Sequence, residues 1–103
     1  MTAAQPTPDE ITFARNVDLS RYEASLGDRV VALAEYRATD TQIDFTHTET
    51  DDDCAGRGIA SGLVRFALDD VLAMRPVPKA VATCPFVAHV IAVNPAYESL
   101  REV

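Results

Sequence analysis

The sequence predicts a single α+β domain, a mixed and mostly antiparallel sheet with helices packed on it, in the order β-β-β-α-β-α. Three observations carry this expectation. Between positions 21 and 49 three strand-like runs, the first with apolar and polar residues alternating, are separated by two groups of turn-forming residues. From position 58 to 74 the apolar period becomes helical. A short apolar run then leads into a proline and a second apolar segment.

Residues 11–15, "ITFAR", read as a short edge strand. In "RYEASLG" Tyr22, Ala24 and Leu26 alternate with Arg21, Glu23 and Ser25, and Gly27-Asp28 supplies a hairpin turn because glycine tolerates positive φ. The run "RVVALAEYRA" presents Val30, Ala32, Ala34 and Tyr36 on one face, and "ATDT" makes the next turn. In "TQIDFTHTE" Ile43, Phe45, His47 and Glu49 fall on one side, and Gln42, Asp44, Thr46 and Thr48 on the other. Three strands in a meander follow from this.

After "TDDDC" the apolar residues Ile59, Leu63, Ala67, Val71 and Met74 recur at helical spacing, with Ser61, Arg65 and Asp69 opposite. This predicts a helix over 58–74, ended by Pro76 and Pro78. "KAVATC" (79–84) reads as a strand. Pro85 fits the first turn of a second helix, "FVAHVIAV", stopped at Asn94-Pro95. A strand that returns after a helix lies parallel to the strand before it, by a right-handed crossover. The glycine-rich turn and Cys84 then meet at one sheet edge, where ligands in α/β arrangements collect.

Composition sets the outer bounds. A chain of 103 residues with 48% hydrophobic content makes one packed domain, residues 11–103, preceded by a polar, proline-containing tail, residues 1–10, expected to be disordered. No window has the run of roughly 18 apolar residues that a membrane span needs, and the start lacks the character of a secretion signal. A cytoplasmic protein is the expectation. A net charge of −7 with nine scattered basic residues opposes a nucleic-acid surface. The two cysteines, Cys54 and Cys84, read as free thiols. His47, Cys54, Cys84 and His89 lack the ligand spacing of zinc sites, so no metal is expected.

Three of the four glycines lie within seven positions, in "CAGRGIASGLV" (54–64), where the long helix begins. A helix N-terminus leaves its first N–H groups unpartnered and carries partial positive charge. Glycines there let a ligand approach the backbone closely, which suits a phosphate. A tight strand-to-helix turn with no ligand accounts for the same glycines.

The run "AGRGIASGLVRFAL" resembles the pyrophosphate-binding motif of the GNAT acetyltransferase superfamily, Gln/Arg-x-x-Gly-x-Gly/Ala, with Gly58 and Ala60 at its last two positions. "HTET" before the loop, "ATCPFV" after the helix and "NPAYESL" near the end resemble the short single-domain GNAT-like proteins. Ala55 departs from the motif where Gln or Arg is usual, and Arg57 is a candidate to compensate. Asp51, Asp52 and Asp53 are discordant with a polyanionic cofactor unless they face water.

The resemblance implies a GNAT-like fold and acetyl-coenzyme A (acetyl-CoA) as cofactor. Its pyrophosphate would lie on Gly56, Arg57, Gly58, Ile59, Ala60 and Ser61. Its pantetheine arm would run between splayed strands, with His47, Thr48 and Glu49 on one side and Cys84 on the other. Acetyl transfer to an amine needs a route for the amine's proton and a stabilised leaving thiolate. Glu49 is the base candidate, competing with an ordinary solvated glutamate. His47 is more often a structural histidine. Cys84, at a strand end before a helix, is either a nucleophile, a wall of the thioester pocket or a small buried thiol. Tyr97 is a candidate proton donor to the thiolate, or a packed aromatic. The implied partners are acetyl-CoA and an amine acceptor, small molecule or protein, with no nucleic acid and no membrane. The alternative is a coenzyme A-binding or regulatory module without catalysis. Oligomeric state stays open.

Overall fold

The computed structural model describes residues 11–54, Gly56 and residues 58–101. The expected tail at 1–10 and the candidate Arg57 lie outside these residues, as does Ala55. The elements run β1 (Ile11–Asn16), β2 (Arg21–Leu26), β3 (Arg29–Ala38), β4 (Gln42–Thr50), α1 (Ile59–Leu72), β5 (Lys79–Ala82) and α2 (Pro85–Val93). Short 3-10 helices precede α1 (Asp52–Cys54, one turn) and follow α2 (Pro95–Leu100, two turns). The strands form one sheet in sequence order, antiparallel from β1 to β4, with β5 parallel to β4.

The α1 helix lays Ile59, Leu63, Val64, Ala67, Leu68 and Val71 on the sheet. Burial of each larger side chain is worth about 1.5–3 kcal/mol. Opposite them Tyr22, Tyr36 and Phe45 form an aromatic cluster with ring centroids 5.5–6.4 Å apart. Arg15 on β1 covers this cluster, 5.0 Å from the Tyr36 ring centroid, and its Nε donates to the Tyr36 hydroxyl at 2.9 Å. The Tyr22 hydroxyl donates to Asp70 on α1 at 2.6 Å. Burial, then that hydrogen bond, raises the Tyr22 pKa far above the usual phenol range. Tyr22→Phe is expected to cost about 1 kcal/mol, one hydrogen bond, in urea denaturation without changing the fold.

Four departures from the sequence expectation have local causes. In the β2–β3 pairing Ala24 faces Ala32 but Ser25 faces Val30, so Val31 is an inserted residue. Val31, at 1% exposure, therefore joins the buried face and Val30 does not. In the β3–β4 pairing Glu35 faces His47 and Tyr36 faces Phe45, which leaves Thr46 inserted. One inserted residue exchanges the two faces of everything after it. Ile43 and Phe45 point into the core, but His47 and Glu49 stand on the opposite, exposed face, and Thr48 turns toward the helices. The expected grouping of His47 and Glu49 with Ile43 and Phe45 is thereby corrected.

The other two departures concern element ends. Gly58 is the cap of α1 and not its first residue, because its φ of 75° is left-handed. The helix closes at Leu72, earlier than Met74. The last strand ends at Ala82, since residues before proline avoid continuing into a helix and Cys84 (φ −75°, ψ 123°) serves as the extended cap of α2. The C-terminal 3-10 turn had no periodic signal, yet it buries Tyr97 and Leu100.

Candidate functional site

The parallel pairing of β4 with β5 stops at Phe45↔Ala82, although β4 continues to Thr50. The last main-chain contact is the Cys84 amide donating to the Phe45 carbonyl at 2.9 Å. Beyond it the two chains diverge and open a cleft. One side of its mouth is α1's N-terminal turn and the other is α2, so Thr50, Cys54, Gly56, Gly58, Ala60, Ser61 and Phe86 line a hollow of about 260 Å³.

At that mouth Gly56 (φ 80°) and Gly58 (φ 75°) hold left-handed conformations that side chains resist. A Cβ at either would project into open space, with nothing within 4 Å, so both glycines keep the approach to the backbone clear. The first intrahelical bond is Gly62 N–H to the Gly58 carbonyl, 3.0 Å. Among the described residues no side chain caps the first turn. The donor ends of Ile59, Ala60 and Ser61 thus face the hollow under the positive end of α1. Arg65 reaches back over this turn to the Ser61 hydroxyl at 2.8 Å.

The aspartates before the turn are diverted from it. Arg29, from the β2–β3 hairpin, pairs with Asp51 and with Asp53, each at 3.2 Å, in an exposed fork. Arg29's hydrogen bond holds the Asp53 carboxyl below its usual range. Those carboxylates are therefore spent outside the cradle.

Cys84 follows β5 just where its pairing with β4 ends, 7% exposed, with its Sγ 3.6 Å from the Thr48 Oγ1. Burial alone would raise its pKa, but the Val87 amide, the Thr48 hydroxyl, the Phe86 amide and the Thr48 main chain together bring the thiol below its ordinary range. The thiol makes no regular capping bond to α2, so the two amides act on it electrostatically. On the opposite face of β4, His47 Nε2 is 2.9 Å from Glu49 Oε2, with both side chains more than half exposed.

The structure thus brings Gly56, Gly58, Ile59, Ala60 and Ser61 around one hollow, and it brings Thr48 and Cys84 together beside the end of the β4–β5 pairing. It sets His47 and Glu49 across the sheet from them. Tyr97 is committed to α1: its hydroxyl donates to Asp69 at 2.9 Å and lies 3.3 Å from the Arg65 carbonyl. Burial, then Asp69, pushes its pKa up to about 12. Sequence reasoning missed Thr50, Cys54 and Phe86 as cleft walls. The period of two alone could have flagged Thr50, had the bulge been known. A larger hollow of about 310 Å³ lies between β5 and α2, but Ala80, Val81, Ala82, Ala88, Ile91 and Ala92 give it no reactive group apart from the Arg101 guanidinium at its rim.

A sheet that splays beside a glycine-led helix invites comparison with known proteins. The profile of the GCN5-related N-acetyl-transferase family matches residues 21–100. The chain belongs to this family, GNAT. Acetyltransferase chemistry is the general activity of the family. Among solved structures, the GNAT fold is matched by a GCN5-like protein from Staphylococcus aureus, determined by NMR in solution. The match has a TM-score of 0.66 at 19% identity and covers 90% of this chain and 89% of that one. No curated protein matches the chain. The matched GNAT region runs from the start of β2 to the end of the C-terminal 3-10 turn and includes every candidate residue above.

Proposed function

We propose that the protein is an acetyl-CoA-dependent N-acetyltransferase whose cofactor pyrophosphate rests on the turn from Gly56 to Ser61. The observation that carries this reading is the uncapped, glycine-led N-terminus of α1 opening into a hollow walled by Thr50 at the end of β4 and Phe86 of α2. Its donor set fits a pyrophosphate: main-chain N–H groups, a helix dipole and the nearby Arg65, with Asp51 and Asp53 of the acidic run paired with Arg29. The β5-facing edge of β4 beyond Phe45 lacks a strand partner, which suits an amide-rich arm. On that edge Thr48 contributes its side chain, and His47 only its main chain because its imidazole is across the sheet. Arg57 remains a proposed contact by sequence.

Bound acetyl-CoA supplies an acetyl group activated as a thioester. The chain's own groups do the rest. Glu49, with His47 beside it, takes the proton that an acceptor amine gives up on the open face of the sheet. Cys84 lies beside the acetyl end, as nucleophile or as the wall that fixes it. The acceptor is an amine, presented by a small molecule or a protein surface.

Glu49→Gln is expected to lower acetyl transfer about a hundredfold, the usual range for a lost general base, while acetyl-CoA affinity stays unchanged. Transfer would be followed with polyamines and lysine-rich peptides as acceptors, and affinity by calorimetry. Cys84→Ala is measured in parallel. If both variants transferred acetyl at the wild-type rate, both catalytic assignments would be wrong. A protein that binds acetyl-CoA and transfers nothing would favour the regulatory coenzyme A-binding module.

A further inference from the structure

Thr48 stands where the sequence alternation alone would not have put it. Without the inserted Thr46, position 48 would face the exposed side with His47's neighbours, and the Cys84 sulfur would lose its side-chain partner on β4. With the bulge, Thr48 spans the point where β4 and β5 part and reaches Sγ at 3.6 Å. Threonine is β-branched and stiff at χ1, and its main chain is held by pairing with Ala34, so the hydroxyl has a fixed direction.

We propose that Thr48 is a positioning residue for Cys84, hydrogen-bonding through its hydroxyl to the sulfur so that the thiolate is stabilised and held in place beside the end of the β4–β5 pairing. The inference rests on Cys84 acting in the site described above, and it goes beyond that reading by assigning the residue that controls the thiol. The ionisable groups on the elements around Cys84 are engaged elsewhere. On β4, Asp44 accepts from Thr83 at 2.7 Å, and His47 and Glu49 bond each other. On β5, Lys79 donates to the Ser99 carbonyl at 3.0 Å. On α2, His89 is exposed. The groups that act most on the thiol are neutral: its burial, the Val87 and Phe86 amides, and Thr48. Of these only the Thr48 side chain can be removed without disturbing the backbone.

The test compares Thr48→Val, which keeps the branched shape and removes the hydroxyl, with Thr48→Ser, which keeps the hydroxyl. Alkylation of Cys84 by iodoacetamide is followed across pH, with peptide mass spectrometry separating it from Cys54. Thr48→Val is expected to react about tenfold more slowly at neutral pH, the factor for one hydrogen bond to a charged group. Its rate should converge on the wild-type rate at alkaline pH, where both thiols are ionised. Thr48→Ser should keep the wild-type profile. Thr48→Ala should repeat the shift if the valine crowds the cleft. The thiolate's ultraviolet absorbance, taken as a difference against Cys84→Ala, yields the same titration without depending on reagent access. An unshifted profile in both hydroxyl-free variants, or a serine variant shifted as far as valine, overturns the proposal. None of these readouts uses a cofactor. Failure to bind acetyl-CoA would therefore sink the proposed function and leave the Thr48 result standing, and the reverse holds equally.

Discussion

Ser61→Glu is expected to weaken acetyl-CoA binding by about 10- to 100-fold while leaving the protein folded. The two effects separate because the same carboxylate acts oppositely on them. In the first turn of α1 an acidic side chain complements the helix dipole, and Arg65 is already positioned four residues on to pair with it. Thermal stability should hold or rise slightly. A phosphate on that turn would instead meet a like charge, which costs between about 1 kcal/mol in bulk water and about 4 kcal/mol near a protein surface at 4 Å. Calorimetry at two salt concentrations checks the origin, since a screened repulsion shrinks as salt is added. Unchanged affinity would mean that the pyrophosphate does not rest on α1.

Phe45→Ala is expected to remove about 3–5 kcal/mol of stability, the usual cost of an emptied aromatic site in a core. That is a large share of the total for a domain of this size. Phe45 is fully buried, with the Tyr22 and Tyr36 rings 6.2 and 6.4 Å away in one aromatic cluster. The loss reaches the site as well. Phe45 is the last β4 residue paired with β5, and its carbonyl holds the Cys84 amide at the apex of the cleft. Urea denaturation followed by circular dichroism measures the change. A loss under about 1 kcal/mol would mean that the sheet and α1 collapse around the gap and that the apex does not depend on this ring.

Patterning made the meander, the long helix and the parallel return strand legible, because each has a period that its own residues maintain. Tyr22 and Ala24 alternate with Arg21 and Glu23, and α1 carries Leu63, Ala67 and Val71 on one stripe. The bulges were not legible. After Phe45 the letters "THTE" carry no apolar residue that would mark a change of face, and only the pairing to β3 shows that one residue is inserted. That single insertion decides which side of the sheet His47, Thr48 and Glu49 occupy, so the site was half visible. The glycine turn and the Cys84 cap were legible as local conformations, since a positive-φ turn and a residue before proline are local facts. The commitment of Tyr97 to Asp69 was invisible, because it depends on how a 3-10 turn without periodicity docks on α1.

The most direct test of the central claim is an amide NMR titration with acetyl-CoA, run beside free coenzyme A. Largest shifts at Gly56, Gly58, Ile59, Ala60 and Ser61 are predicted for both ligands. Those at Thr48 and Cys84 should differ between the two, because only one carries the acetyl group. An unperturbed α1 N-terminus at millimolar acetyl-CoA would contradict the account and reduce the glycines to a tight turn.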